Sequence, residues 1–462
     1  MHIAEDAEAT APSHCKLLVF PQDQVRERVF AQAWSENNTN YAALQTNGEN
    51  RTESVMKMFL WVLLLSAMPG RTAVLTTPPL IASIEVASPL VAPADGTFWF
   101  QARPAVLALE QVPVKPASPK VLITLQKTDR VGNHMYHGLE AMWSENLGQT
   151  WSGPEPLKSV DRIIHTNGLL EAPVDMTPQM HQRTGKILVT GATFWQDLNL
   201  HNDVRNGPSD TAYAVCDPKT GRWSAWKKLA MPAAQKFHFA RAGCSQRVDL
   251  PDGDILLPIY FRRQGMDNTH ATVVRCTFDG ATLQYAEHGT ELTVTNANPK
   301  SRKGVGEPSL TVFEGKYFLT LRNDERGYVA ASADGLHFNQ PKPWTFDDGA
   351  ELGSYNTQQH WITHSDCLFL AYTRRGAGND NVFRHRSPLF IARVDPKRLV
   401  VERGTERTLL PNIGEAFGNF GVCNVTPGET WVVDCLRFAE AGKPSLFIAK
   451  IQWSTPNRLA GN

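Results

Sequence analysis

"GEPSLTVFEGKYFLTLRNDERGYVAASADG", Gly306 to Gly335, sets three short apolar runs between turns. Glu307 opens the first run, a Phe-Glu-Gly-Lys-Tyr turn reverses the chain, and Arg322 ends the second run fifteen positions after the glutamate. A Ser-Ala-Asp-Gly turn closes the stretch. Apolar runs this short, reversed by Gly-containing turns, are antiparallel strands. Most strand ends need no charge, so the glutamate and arginine on neighbouring strand ends call for a reason.

The same texture recurs along the chain. From about Leu80 onward helical periodicity is nearly absent, and runs such as "KILVTGATF", "GDILLPIYF", "CLFLAYT" and "SLFIAKIQW" alternate with turns of Gly, Asp, Asn and Pro. A strand running into a turn and an aromatic or apolar residue returns at Ser144 to Trp151, Tyr213 to Trp223, Val273 to Leu283, Val329 to Phe338 and Ile391 to Val400. The spacing is roughly 55 to 75 residues, and each unit holds about four strands, the signature of a propeller blade with long loops. Counting the C-terminal run, about six blades result. The expected fold is therefore all-β, a six-bladed β-propeller of four-stranded antiparallel blades over residues 75–462. The last blade should close on a strand near Ile81 to Ala87, which would remove a free sheet edge.

Composition agrees. Of 462 residues, 42% are hydrophobic, enough for a sizeable core, and twelve tryptophans with many Gly and Pro residues suit a turn-rich β protein. Lys plus Arg (46) balance Asp plus Glu (46), which argues against general attraction to nucleic acid or anionic membranes. An acidic ligand must then be met by locally placed arginines. Of the seven cysteines, Cys15 lies in the leader and no pair has C-x-x-C spacing, so no metal or other cofactor is expected. Cys423 and Cys435 flank a hairpin turn and could face each other, but buried free thiols are the simpler expectation.

The N-terminal part reads differently. Residues 1–55 are polar and aperiodic, and Met56 and Lys57 then precede an apolar stretch from Met58 to Met68. That stretch is short for a bilayer span but suits a secretory signal over residues 56–74. The simplest expectation is translation from Met56, residues 1–55 being an over-extended gene start, and a secreted or periplasmic monomer without a membrane span. The alternative is a short buried segment of a cytoplasmic protein.

"SENLGQTW" (Ser144 to Trp151) matches the Asp-box pattern S-x-D-x-G-x-T-W with Asn146 in the aspartate place, and "SADGLHF" (Ser332 to Phe338) is a shortened copy with Asp334. The Asx side chain bonds turn amides and glycine allows a positive φ, so these boxes are structural. Here the chain, from about Phe98 onward, resembles the sialidase (neuraminidase) superfamily, whose six-bladed propellers carry such boxes. The resemblance implies three central arginines holding a sugar carboxylate, a Tyr–Glu nucleophile pair and an aspartic acid/base. Glu307 and Arg322 then match the glutamate and second arginine. Arg103 in "QARPAVLAL" matches the first arginine, and Arg386 the third, with Arg384 as its rival. Asp129 matches the acid/base, although its long loop leaves His134 as an alternative. Arginine suits the task because its planar fork grips a carboxylate with two prongs and stays charged.

The expected activity is exo-α-sialidase-like hydrolysis of a glycan ending in an acidic sugar. The nucleophile departs from the pattern, since Asn419 and Phe420 occupy the neighbourhood of the family tyrosine and phenylalanine has no hydroxyl. Tyr355 could serve instead, Glu307 could activate water directly, or the pocket could bind without cleaving. His360 and Gln359 are candidate linings of the cleft that would contact sugar hydroxyls. A propeller polysaccharide lyase acting on uronates, with Tyr355 or His360 as base, is the enzymatic alternative, and a carbohydrate-binding propeller the non-catalytic one.

Overall fold

The computed structural model describes residues 79–107, 118–131, 134–199, 201–204 and 208–460. The polar leader and signal segment expected before residue 75 lie outside the described residues. Six antiparallel sheets follow one another along the chain as the blades of a six-bladed β-propeller. Blade 1 runs Thr97–Val106, Val121–Asp129, Tyr136–Ser144 and Ser152–Pro156. Blade 2 is led by Leu169–His181 and Lys186–Asp197, and blade 3 by Phe239–Arg241 and Ile255–Arg262. Gly306–Phe313, Lys316–Arg322, Tyr328–Ser332 and Lys342–Pro343 make blade 4, and blade 5 begins with His360–His364 and Cys367–Tyr372. Blade 6 takes Gly421–Thr426, Glu429–Cys435 and Pro444–Trp453, and receives Ile81–Val91 as its outer strand. That closure matches the expectation and extends it to Val91.

The core sits between blades, not at the axis. Seven apolar clusters among the described residues lie between neighbouring blades, two of them between blades 1 and 2; another packs Trp99, Ile123 and Leu125 of blade 1 on Trp431, Val433 and Ile448 of blade 6. Inner-layer strands are buried on both faces, so they read as continuous apolar runs. In Lys316–Arg322, Phe318 feeds the layer toward blade 5 while Leu319 and Leu321 feed the layer toward blade 3.

The first strand of each blade lies innermost, beside the first strands of the next blades. One face of the ring, here the mouth face, collects the starts of these strands, the ends of the second strands and the loops from one blade to the next. The far face collects the turns from third to fourth strands. Ser144 to Trp151 and Ser332 to Phe338 both lie there, as their sequences required. The six cysteines within the described residues are free, and Cys423 stands opposite Trp431 in the hairpin register, so it does not face Cys435. No helix among the described residues is long and apolar enough to cross a membrane.

Candidate active site

Three inner strands break register at the same height. The slips fall between Phe100 and Arg103, between Val174 and Thr177, and between Gly306 and Ser309. Inside them Gln101, Asp175 and Glu307 hold positive φ angles of 57°, 55° and 40°. Cys244, at φ 60°, occupies the gap between the two pieces of the blade 3 inner strand. A bulge re-aims the side chain it contains, and a left-handed non-glycine residue costs about 1–3 kcal/mol, which the surrounding ring must offset. Four blades thus spend strain on placing polar side chains near the axis.

Those side chains join into a belt. Gln101 Nε2 donates to Asp175 Oδ1 at 2.5 Å, and the Asp175 amide donates back to Gln101 Oε1 at 2.8 Å. Cys244 Sγ donates to the same carboxylate oxygen at 3.0 Å. The Ser309 hydroxyl reaches the Cys244 carbonyl at 3.5 Å and meets His360 Nδ1 at 2.8 Å. His360 lies edge-to-face on Phe420, ring centroids 4.9 Å apart. Burial, then the Arg103 charge, draws the His360 pKa down to about 3, so it is a neutral floor residue.

Glu307 and Arg322 do stand together. Arg322 Nη1 bonds Glu307 Oε1 across the mouth of blade 4. Burial pushes the Glu307 carboxyl up, but the Arg322 charge and hydrogen bond outweigh it and hold the pKa below the ordinary value. Arg322 Nη2 donates to Asn356 Oδ1 at 2.6 Å, and Arg386 Nη2 donates to the Asn356 carbonyl at 2.5 Å. One residue therefore ties two guanidinium groups into one corner. Arg386 is only 4% exposed, its Nε has no hydrogen-bond partner, and no carboxylate pairs with it among the described residues. Burial, followed by the charges of Arg322 and Arg384, draws its pKa down to about 9. A shallow open hollow adjoins this corner, lined by Tyr260, Arg302, Glu307, Arg322 and Asp324 among others.

The other sequence candidates fall elsewhere. Arg103 is fully buried at the floor, donating to Cys244 Sγ at 3.3 Å with its Nε also unpartnered, and no hydrogen bond among the described residues joins it to the Arg322–Asn356–Arg386 corner. Arg384 is exposed on the mouth, its guanidinium 4.8 Å from the Phe383 ring. Asp129 sits on the rim between His137 Nε2 at 2.6 Å and His201 Nε2 at 3.4 Å, while His134 stacks on Tyr136. Tyr355 bonds His385 Nδ1 at 2.6 Å and lies under Arg375, with no hydrogen bond to Glu307. Gln359 does not line the cleft: it is fully buried, with its amide committed to Thr320 at 3.0 Å and Ser354 at 2.9 Å between blades 4 and 5. Phe420 belongs to the apolar layer between blades 5 and 6.

Sequence reasoning missed Asp175, Tyr260, Asn356 and Arg437. Burial first, then Glu307, pushes the Asp175 carboxyl up, against the pull of Arg103 and Arg241. Tyr260 lies beside Gly306, and burial raises its hydroxyl pKa, with Arg241 opposing and Glu307 adding to the rise. An aspartate amid the apolar run "LLEAPVDM" was a usable signal, whereas "ILLPIYFR" offered none.

No family model and no curated relative matches the chain. Solved structures do. It is similar to a protein of unknown function from Dyadobacter fermentans (TM-score 0.55, 14% identity, 81% of this chain and 100% of that one). A Hadza microbial sialidase matches with TM-score 0.53 and 11% identity over 77% of this chain and 65% of its own. A mutant of Trypanosoma rangeli sialidase displaying trans-sialidase activity matches with TM-score 0.51 and 14% identity, over 80% and 59%. The chain thus spans less than two thirds of either sialidase. At these identities the likeness is one of architecture, and the chain has a sialidase-like six-bladed propeller fold.

Proposed function

We propose that the mouth of the propeller binds a terminal acidic sugar and hydrolyses its glycosidic bond, as an exported sialidase-like glycosidase comprising residues 75–462. The observation that carries this reading is Arg386, a buried guanidinium without a carboxylate, tied through Asn356 to Arg322. Removing a charge from water is costly unless an anion compensates it, and a sugar carboxylate is the anion that fits a planar fork. Export rests on the Lys57-then-apolar order of residues 56–68.

The acid/base roles follow from two carboxyls pushed in opposite directions. Asp175 keeps its proton to higher pH than an ordinary aspartate, while Glu307 stays ionised to lower pH. Groups with pKa values pushed apart divide into acid and base. Asp175 would protonate the leaving oxygen. Glu307 would assist attack, through Tyr260 beside it or through water. Asp129, engaged by two histidines at the rim, is not used in this scheme.

A second reading is favoured by the Tyr355–His385 hydrogen bond of 2.6 Å, a pair suited to proton abstraction beside a uronate carboxylate. The test is turnover of fluorogenic sialosides and uronides together with uronate polysaccharides. Hydrolysis releases the fluorophore or a reducing end without new ultraviolet absorbance. Lysis creates an absorbing unsaturated sugar, and binding without either product leaves a lectin-like propeller.

A further inference from the structure

We propose that the mouth holds two anions, the second on the sugar next to the terminal one, at a clasp formed by Arg384 and Arg437 around Phe383. This rests on the carboxylate site at Arg322 and Arg386. Phe383 is 51% exposed on the mouth face. The Arg384 guanidinium lies 4.8 Å from its ring centroid and that of Arg437 5.1 Å. Arg437 also lies 4.8 Å from the ring of Phe438, itself 43% exposed.

Neither cation has a carboxylate within ion-pairing distance among the described residues. Asp324, the acidic group that acts on Arg384, instead lies 3.8 Å from Arg302 and accepts the Arg302 amide at 3.4 Å. The Nε of Arg437 is buried without a hydrogen-bond partner. The loop that presents Arg384 is built in detail. Arg384 and His385 both adopt positive φ, 54° and 52°. Tyr355 bonds the His385 ring, and Asn379 Nδ2 donates to the His385 carbonyl at 3.2 Å. Strain held by such contacts collects where a loop must present a side chain.

The Arg386 amide donates to the Phe383 carbonyl at 3.3 Å, and the Arg437 amide donates to the carbonyl of Ala416, whose neighbour Phe417 donates to the Arg386 carbonyl at 3.0 Å, so the clasp borders the first site. Two cations flanking an exposed ring make a surface that stacks a sugar and binds an anion on it. The chemistry recognised is a sulfate ester or carboxylate on the penultimate sugar. One terminal carboxylate can compensate the Arg322–Arg386 corner, and it leaves Arg384 and Arg437 uncompensated.

Matched ligand pairs test this by calorimetric titration. A chondroitin tetrasaccharide ending in glucuronate is compared with its counterpart sulfated on the adjacent N-acetylgalactosamine, and sialyllactose is compared with disialic acid. In at least one pair the member with the added anion on the sugar next to the terminal one should bind the wild-type protein about tenfold more tightly, and which pair shows it separates sulfate from carboxylate. The preference should shrink toward one in Arg384→Ala/Arg437→Ala, and partly in Arg384→Gln, a change at an exposed side chain that leaves the fold in place. Equal binding within both pairs by the wild-type protein, or a preference that survives in the variants, overturns the second anion alone. If no ligand binds the wild-type protein, the first site falls and the second with it.

Discussion

On the far face, the Ser144 to Trp151 turn closes on its own polar side chains: Asn146 Oδ1 accepts the Thr150 amide at 2.9 Å and Ser144 Oγ accepts the Gly148 amide at 2.8 Å, while the buried Trp151 Nε1 stays without a partner. Left-handed non-glycine residues occur on both faces, at Leu147, Glu314 and Leu399 on the far face and at Glu307, Asn356 and Arg384 on the mouth face, where Arg386 and Arg437 also keep unbonded Nε atoms. Most exposed large hydrophobics gather at the mouth. Val91, Val131, Leu198, Met266, Phe383, Ile413 and Phe438 lie at mouth-face strand ends and loops, Ile163 and Ile164 form a short strand at the same end, and Leu459 lies at the far end. The same strands feed both faces. The difference teaches that strain alone does not mark the site: both ends of the ring bend backbone to close turns, but the mouth also holds unpaired buried charge that a ligand would relieve.

The sharpest way to break this contrast is Glu307→Gln. Turnover of an acidic glycoside should fall by about 10²–10⁴-fold if the carboxylate assists attack. Binding of the acidic sugar should hold or tighten, because a negative charge leaves the cleft. Single-turnover rates and calorimetric affinities separate the two effects. Next in size, Arg386→Ala should weaken acidic-ligand binding by about 2–5 kcal/mol, with Arg386→Lys recovering only part. An unchanged affinity would put the anion elsewhere.

Asp434 offers a stability test of the mouth side. It accepts backbone amides from Gly418 at 2.6 Å and Cys435 at 2.8 Å, yet burial pushes its pKa up to about 6. A carboxyl raised in the folded state stabilises fully below the ordinary aspartate value, and that contribution is lost as pH rises through 6. Between pH 4 and 7, wild-type stability should fall relative to Asp434→Asn by up to about 3 kcal/mol in denaturant melts. Parallel curves would refute the assignment. The smallest effect belongs to the far face, where Asn146→Ala should cost about 1 kcal/mol and leave ligand binding untouched.

The propeller was legible because each blade repeats strand, turn and aromatic, and each apolar run had to bury both faces. Closure by Ile81–Val91 was legible for the same reason. The Glu307–Arg322 pair could be read because hairpin register carries two strand ends to one height. The rest of the site resisted reading because it assembles across blades. Asn356 joins Arg322 to Arg386 through one side-chain and one backbone oxygen, a geometry with no sequence pattern. Arg103 shows the converse. Its motif suggested a ligand-binding arginine, but the bulge at Gln101 turned a different side chain toward Asp175 and left Arg103 in the floor.

The most direct test of the central claim is a crystal structure of the protein soaked with an acidic monosaccharide, N-acetylneuraminate or glucuronate. The expected density shows the sugar carboxylate contacting Arg322 and Arg386 together, with the ring above Glu307 and Asp175. A carboxylate bound elsewhere while Arg386 still donates only to Asn356, or no sugar at a concentration that saturates the protein in solution, would contradict it.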